Sequence, residues 1–228
     1  MTFDAAAAEV GRAWFPVDPE PSPRRLRKHA LADELRGLVS DLLYLDVEAA
    51  DEAALTDVEQ RLQAAREALA ALPDLRGQNL HITDHDASLF ERSPLSGRSN
   101  ALAAPLVLEF DGPLTFGHAT YGEQYEGPPD TVHGGYVISA FDDLLGVAQA
   151  ASGIAGLTGT LTVKLLRRTP LNTRIDYEAG VRSHEGRKIL AWGRSLLDGE
   201  VLAEAEGVFI EPRGGHPGQV MREALSSS

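Results

Sequence analysis

The segment YVISAFDDLLGVAQAA, residues 136–151, restricts the fold more than any other part of the chain. It reads as a helix and, apart from two adjacent aspartates, it is apolar on nearly every side. Such a helix does not stand free in water, so other elements must enclose it. Its neighbours in sequence are all strand-like. LVLEF (106–110) and LTFGHATY (114–121) flank Asp-Gly-Pro and read as a hairpin. After SGIAGLTG, expected to be a flexible loop, come TLTVKLL, RIDYEAGVRS, KILAWGRSLL and VLAEAEGVFIE. These are four strands, separated by short turns such as HEGR and DGE.

About six antiparallel strands with one helix between the second and third must curl around that helix. That arrangement is the hotdog fold, an α+β architecture. The first hundred residues differ in kind. Leu31, Leu35, Leu38, Leu42 and Leu45 recur at spacings of three and four, a helical stripe. TDVEQRLQAAREALAAL predicts a second helix, with Thr56 as N-cap, Glu59 completing a capping box and Pro73 beyond the end. Together they read as a helical hairpin, expected to pack over the core or extend a dimer contact. The chain thus divides into a helical extension (1–77), a polar linker or arm (78–104), the hotdog domain (105–212) and a tail (213–228) expected to be disordered.

Composition removes several classes of function. A net charge of −13 argues against general nucleic-acid binding. The absence of cysteine excludes disulfides, thiolate metal sites and thiol nucleophiles. No apolar run approaches the roughly 20 residues of a membrane span. The N-terminus has no basic flank and is a poor secretory signal, so a cytoplasmic location is expected. No Gly-x-Ser-x-Gly or phosphate-loop pattern occurs. HITDHDAS offers His81, Asp84, His85 and Asp86, but its turn-like context points to a loop and no metal is expected. Trp14 and Phe15 are candidates to pin the N-terminal segment to the body.

On a helical wheel Val137, Phe141, Leu144, Leu145 and Ala148 share one face, which should press into the sheet. Asp143 points nearly opposite, where it should be solvated or paired across a subunit contact. Asp142 falls on the flank, beside Ile138 and Gln149. An acid at the edge of a buried stripe is partly desolvated and so a better base. Geometry thereby selects Asp142 for chemistry. Gly134 and Gly135 stand at the helix start, where unpaired N–H groups and absent β-carbons suit a ligand carbonyl. The alternative is a tight turn whose glycines only start the helix.

EGPPDTVHGGYVISAFDDLLG, LTGTLTVKLLRRTPL and HEGRKILAWGRSLLDGEVLAEAEGVFIEP together resemble the PaaI-type hotdog acyl-coenzyme A thioesterases, especially those with extra N-terminal residues. The ordered set carries the resemblance: His-Gly-Gly, an Asp nine residues after the His, a Thr ahead of a strand, an Arg-rich turn with Pro, and Glu-Gly-Arg-Lys. The resemblance implies hydrolysis of acyl-coenzyme A thioesters. Asp142 would be general base or nucleophile, Gly134 an N–H donor to the carbonyl, and Thr158 the hydroxyl that orients water or the Asp, with Thr160 as its fallback. His133 would fix the turn or the thioester pocket. The coenzyme A portion of the substrate would meet Gly135 and the basic Arg167, Arg168, Arg187 and Lys188. No separate cofactor is implied. Gly127 departs from the pattern, since some relatives carry Asn there. The resemblance further implies a homodimer or dimer of dimers with a shared site. The competing reading is a non-catalytic acyl-coenzyme A sensor on the same fold.

Overall fold

The computed structural model describes residues 21–76, 89–104, 106–154 and 156–213. Helices α1 (Pro23–Leu43) and α2 (Glu52–Ala70) come first, then a single helical turn at Leu89–Arg92. Strands β1 (Val107–Asp111) and β2 (Leu114–Thr120) follow, then a 3-10 turn (Glu123–Tyr125) and the central helix α3 (Gly134–Ala151). Strands β3 (Leu157–Leu165), β4 (Arg174–Glu185), β5 (Lys188–Leu197) and β6 (Glu200–Ile210) complete one antiparallel sheet. Its order is β1-β2-β4-β5-β6-β3, so β1 and β3 are the edges. The predicted six-strand sheet wrapped on one helix is the fold observed.

Period-two burial explains the sheet. In β5 the side chains of Ile189, Ala191 and Ser195 point inward, in step with buried Gly193, while Lys188 and Arg194 are exposed. The β5–β6 hairpin closes through Asp198 (φ 51°) and Gly199 (φ 82°). Two successive left-handed residues are what the twist of a tight hairpin requires, and Asp-Gly supplies them at low cost. The predicted stripe of α3 lies on the concave face: Val137, Phe141, Leu144, Leu145 and Ala148 are all within 2% of complete burial. Leu145 reaches deepest because a Cβ at Gly193 or at Gly207 would come within 3.0 Å of its methyls. Those glycines let helix and sheet approach.

The outer side of α3 is covered too. Ala103 and Ala104 are buried, as are Ser93 and Ser96, so the segment before β1 is a packed arm. Helix α1 rests on that arm with a face opposite in character to the one expected. Its buried residues are Arg25, His29, Ala32 and Arg36, whereas Leu31, Leu35, Leu38 and Leu42 are exposed. The physical reason is the arm itself, a turn-rich segment whose carbonyls need donors. Arg36 supplies them, donating to the carbonyl oxygens of Ala103 (3.1 Å), Arg98 (3.3 Å) and Asn100 (2.7 Å) while pairing with Asp33. His29 Nε2 bonds Glu91 at 2.9 Å.

Helix α2 begins five residues earlier than its capping-box signal suggests. Asp51 is the N-cap, accepting from Ala54 N at 3.1 Å, and Thr56 lies inside the helix with its hydroxyl on the Glu52 carbonyl. No residue of α2 is buried, and α1 and α2 scarcely touch, so the two helices do not close into the expected hairpin. The HITDHDAS cluster, Trp14, Phe15 and the tail beyond residue 213 lie outside the described residues.

Candidate active site

The start of α3 is built by a chain of short-range bonds. Glu126 pairs with Val132 across the EGPPD turn, and Gly127 N donates to the Thr131 carbonyl at 2.8 Å. His133 N then donates to Tyr125 O at 2.8 Å. His133 is the N-cap of α3, with its Nδ1 accepting from Gly135 N at 3.0 Å. The histidine therefore organises the turn and holds the second glycine's amide. The Gly134 N–H has no acceptor among the described residues and is the open donor of the helix terminus. A Cβ at Gly127 would sit 2.8 Å from His133 Cα, so the departure from Asn there is built into the backbone path.

Asp142 lies two helical turns further on and is only partly buried. Thr158 Oγ1 donates to its Oδ1 at 3.1 Å, bringing together the acid and hydroxyl that the resemblance pairs. The fold arranges this through a bulge in β3, where the register slips between Thr158 and Thr160. The extra residue re-aims Thr158 towards the helix while Leu161 and Val163 still face the core. The hydroxyl that bonds Asp142 is that of Thr158 and not that of Thr160.

Gln149, on the same flank as Asp142, anchors the approach to that bulge. Its side chain donates to Gly156 O at 3.0 Å and accepts from Gly156 N at 2.7 Å. The glycine-rich loop expected to be flexible is thus clamped at Gly156. A buried amide two turns after the acid was the available signal, since a polar group only 3% exposed needs partners.

Asp143 is not solvated. It takes a hydrogen bond from Ser93 Oγ at 2.9 Å and another from Ser96 Oγ. Burial pushes its carboxyl above the usual carboxylate range, against the lowering effect of the two serines, and the nearby Asp142 adds to the rise. The wheel placed Asp143 opposite the sheet correctly, but the arm covers that side.

The four basic candidates divide into two pairs. Arg167 and Arg168 follow the end of β3, where Leu165 pairs with Ala203 near the start of β6. Arg187 and Lys188 sit where β5 begins, opposite Ile210 at the end of β6. Seven strand residues, roughly 23 Å, separate those ends, so one chain does not gather all four. Arg167 pairs with Glu200 at 2.7 Å, and Arg187 Nε donates to Glu211 O at 2.7 Å; all four side chains are exposed.

A curled antiparallel sheet around a helix that carries a half-exposed carboxylate and an open N-terminal amide defines a hotdog protein. Comparison with solved structures agrees. A crystal structure of a thioesterase superfamily protein is 32% identical, covering 80% of this chain and 94% of its own, with a TM-score of 0.71. The Escherichia coli PaaI protein from the phenylacetic acid degradation operon is 18% identical over 46% of this chain and 82% of its own, with a TM-score of 0.44. No protein-family model and no curated protein matches the sequence. The chain belongs to the thioesterase superfamily.

Proposed function

We propose that this protein hydrolyses acyl-coenzyme A thioesters, with Asp142 as general base on water. The observation that carries the reading is the Thr158–Asp142 hydrogen bond, which fixes one carboxylate oxygen and leaves the other for water. Water adds to the thioester carbonyl carbon as its proton passes to Asp142. The C–S bond then breaks, and the proton returns to the departing thiolate. An amide N–H at a helix start would hold the carbonyl oxygen as it becomes an oxyanion.

One chain does not supply both groups to one carbonyl. Gly134 and Asp142 are eight residues apart on a straight helix, roughly 12 Å along its axis. The edge strand β3 offers the remedy. Gly134 abuts Leu165 at the end of β3, and Asp142 bonds Thr158 near its start. Pairing two β3 edges antiparallel about a two-fold sets the end of one strand beside the start of the other. The Gly134 amide of one copy then faces Asp142 of the second. Arg167 and Arg168 of one copy likewise reach the rim that carries Arg187 and Lys188 of the other. Exposed Leu157, Leu165 and Leu166 on this edge favour such pairing, since an open apolar edge is otherwise an aggregation hazard.

The test is Asp142→Asn. Turnover of acyl-coenzyme A thioesters should fall about 100-fold or more, with the melting temperature and ligand binding retained. Undiminished turnover in that variant overturns the mechanism. Binding without turnover by the unaltered chain, across short, long and aryl thioesters, would make the protein a sensor instead.

A further inference from the structure

Helices α1 and α2 each display an apolar seam that nothing in the chain covers among the described residues. On α1 it is formed by Leu31, Leu35, Leu38 and Leu42, each between 44 and 68% exposed. On α2, Leu55, Val58, Leu62, Ala65 and Leu69 follow spacings of three and four without a break, and only Leu55 is partly shielded. This is heptad spacing on two neighbouring helices of 21 and 19 residues, roughly 31 and 28 Å long. A seam of that regularity is suited to another helix, and α1 and α2 scarcely meet within one chain.

We propose that these seams are the contact surface for a second copy of this chain, α1 of one copy packing on α2 of the other in a four-helix arrangement closed by a two-fold. The seam flanks favour this pairing over like with like. Glu34 and Asp41 border the α1 seam; Arg66, Arg61 (already on Asp57 of its own helix) and Glu59 border that of α2. An α1–α2 contact can set Arg66 beside an acid, while α1–α1 would oppose acids. The area is also sufficient. With Val39 and Leu72 continuing them, the seams expose on the order of 700 Å² of apolar surface per copy. A standard interface needs about 800 Å² from each partner. The surface is separate from the β3 edge and from the proposed catalytic groups, so it stands whether or not the thioesterase reading does.

The absence of native cysteine makes the test direct. Leu38→Cys places a single thiol in the α1 seam, and its labelling rate is followed in the full chain from nanomolar to high micromolar protein, beside sedimentation mass. Labelling should slow at least about tenfold as the mass rises. Adding Leu62→Glu to the α2 seam should weaken self-association about 100-fold and keep the thiol reactive at every concentration. Unchanged circular dichroism confirms that the added charge has not unfolded the chain. A labelling rate independent of concentration overturns the proposal, whether solvent, residues 1–20 or the chain's own α2 lies over α1. A rate that slows with concentration but ignores Leu62→Glu also overturns it, because another surface would then be the partner of α1.

Discussion

Asp142 and Asp143 show how much one helical step decides. Adjacent residues on a helix differ by 100°, enough to put one carboxylate at an open flank with Thr158 and the other under the arm with Ser93 and Ser96. Because burial raises the Asp143 carboxyl, the folded state holds its proton to higher pH than the unfolded chain does. Stability from this group is therefore fully present below the ordinary carboxylate range and declines as pH rises through the raised value. Asp143→Asn removes that decline while keeping one acceptor and one donor for the two serines. Melting temperatures at pH 4 and pH 7 should show the variant gaining on the unaltered chain at the higher pH. An equal difference at both would mean that Asp143 is charged in the fold at little cost.

At the scale of elements, α1 separates what a pattern says from what it leaves unsaid. Periodicity identifies a face that wants apolar company but not whether the same chain provides it. Here the chain provides a polar arm, so Arg36 and His29 are buried and the leucines are not. The strands of the hotdog were legible because period-two alternation and Asp-Gly turns are local signals. The α3 stripe was legible because a central helix must face the sheet. The arm was not, since its hold on Asp143 and Arg36 spans some 50 to 67 residues of sequence. The α2 start was misread for a smaller reason: two plausible caps lay five residues apart, and Asp51 took the role. The arm contact can be measured. Arg36→Met strips donors from three buried or half-buried carbonyls and should cost about 3 kcal/mol, felt locally. Amide exchange should rise in residues 23–43 and 97–104 while β4 and β5 keep their protection. Faster exchange throughout the sheet would show that arm and barrel unfold as one unit.

At the scale of the whole molecule, the candidate site was legible as a list of residues but not as a place. The helical wheel and the resemblance named His133, Gly134, Asp142 and Thr158, yet Gly134 and Asp142 of one chain stand two helical turns apart, too far to share a carbonyl. The proposed β3 pairing turns that distance into a requirement for two copies. Its test uses two variants that each damage one half-site. Asp142→Asn removes the base. Gly134→Pro removes the open N–H at the first helical position, where proline is well tolerated and His133, with ψ 129°, already has the backbone that proline demands of its predecessor. Each alone should lower turnover about 100-fold or more. When the two are unfolded together and refolded, half of the dimers are mixed, and each mixed dimer contains one site with both groups intact. Activity should return to about a quarter of the unaltered level, as random pairing across a two-fold dictates. A site contained within one chain would recover nothing, because every chain in the mixture carries a defect.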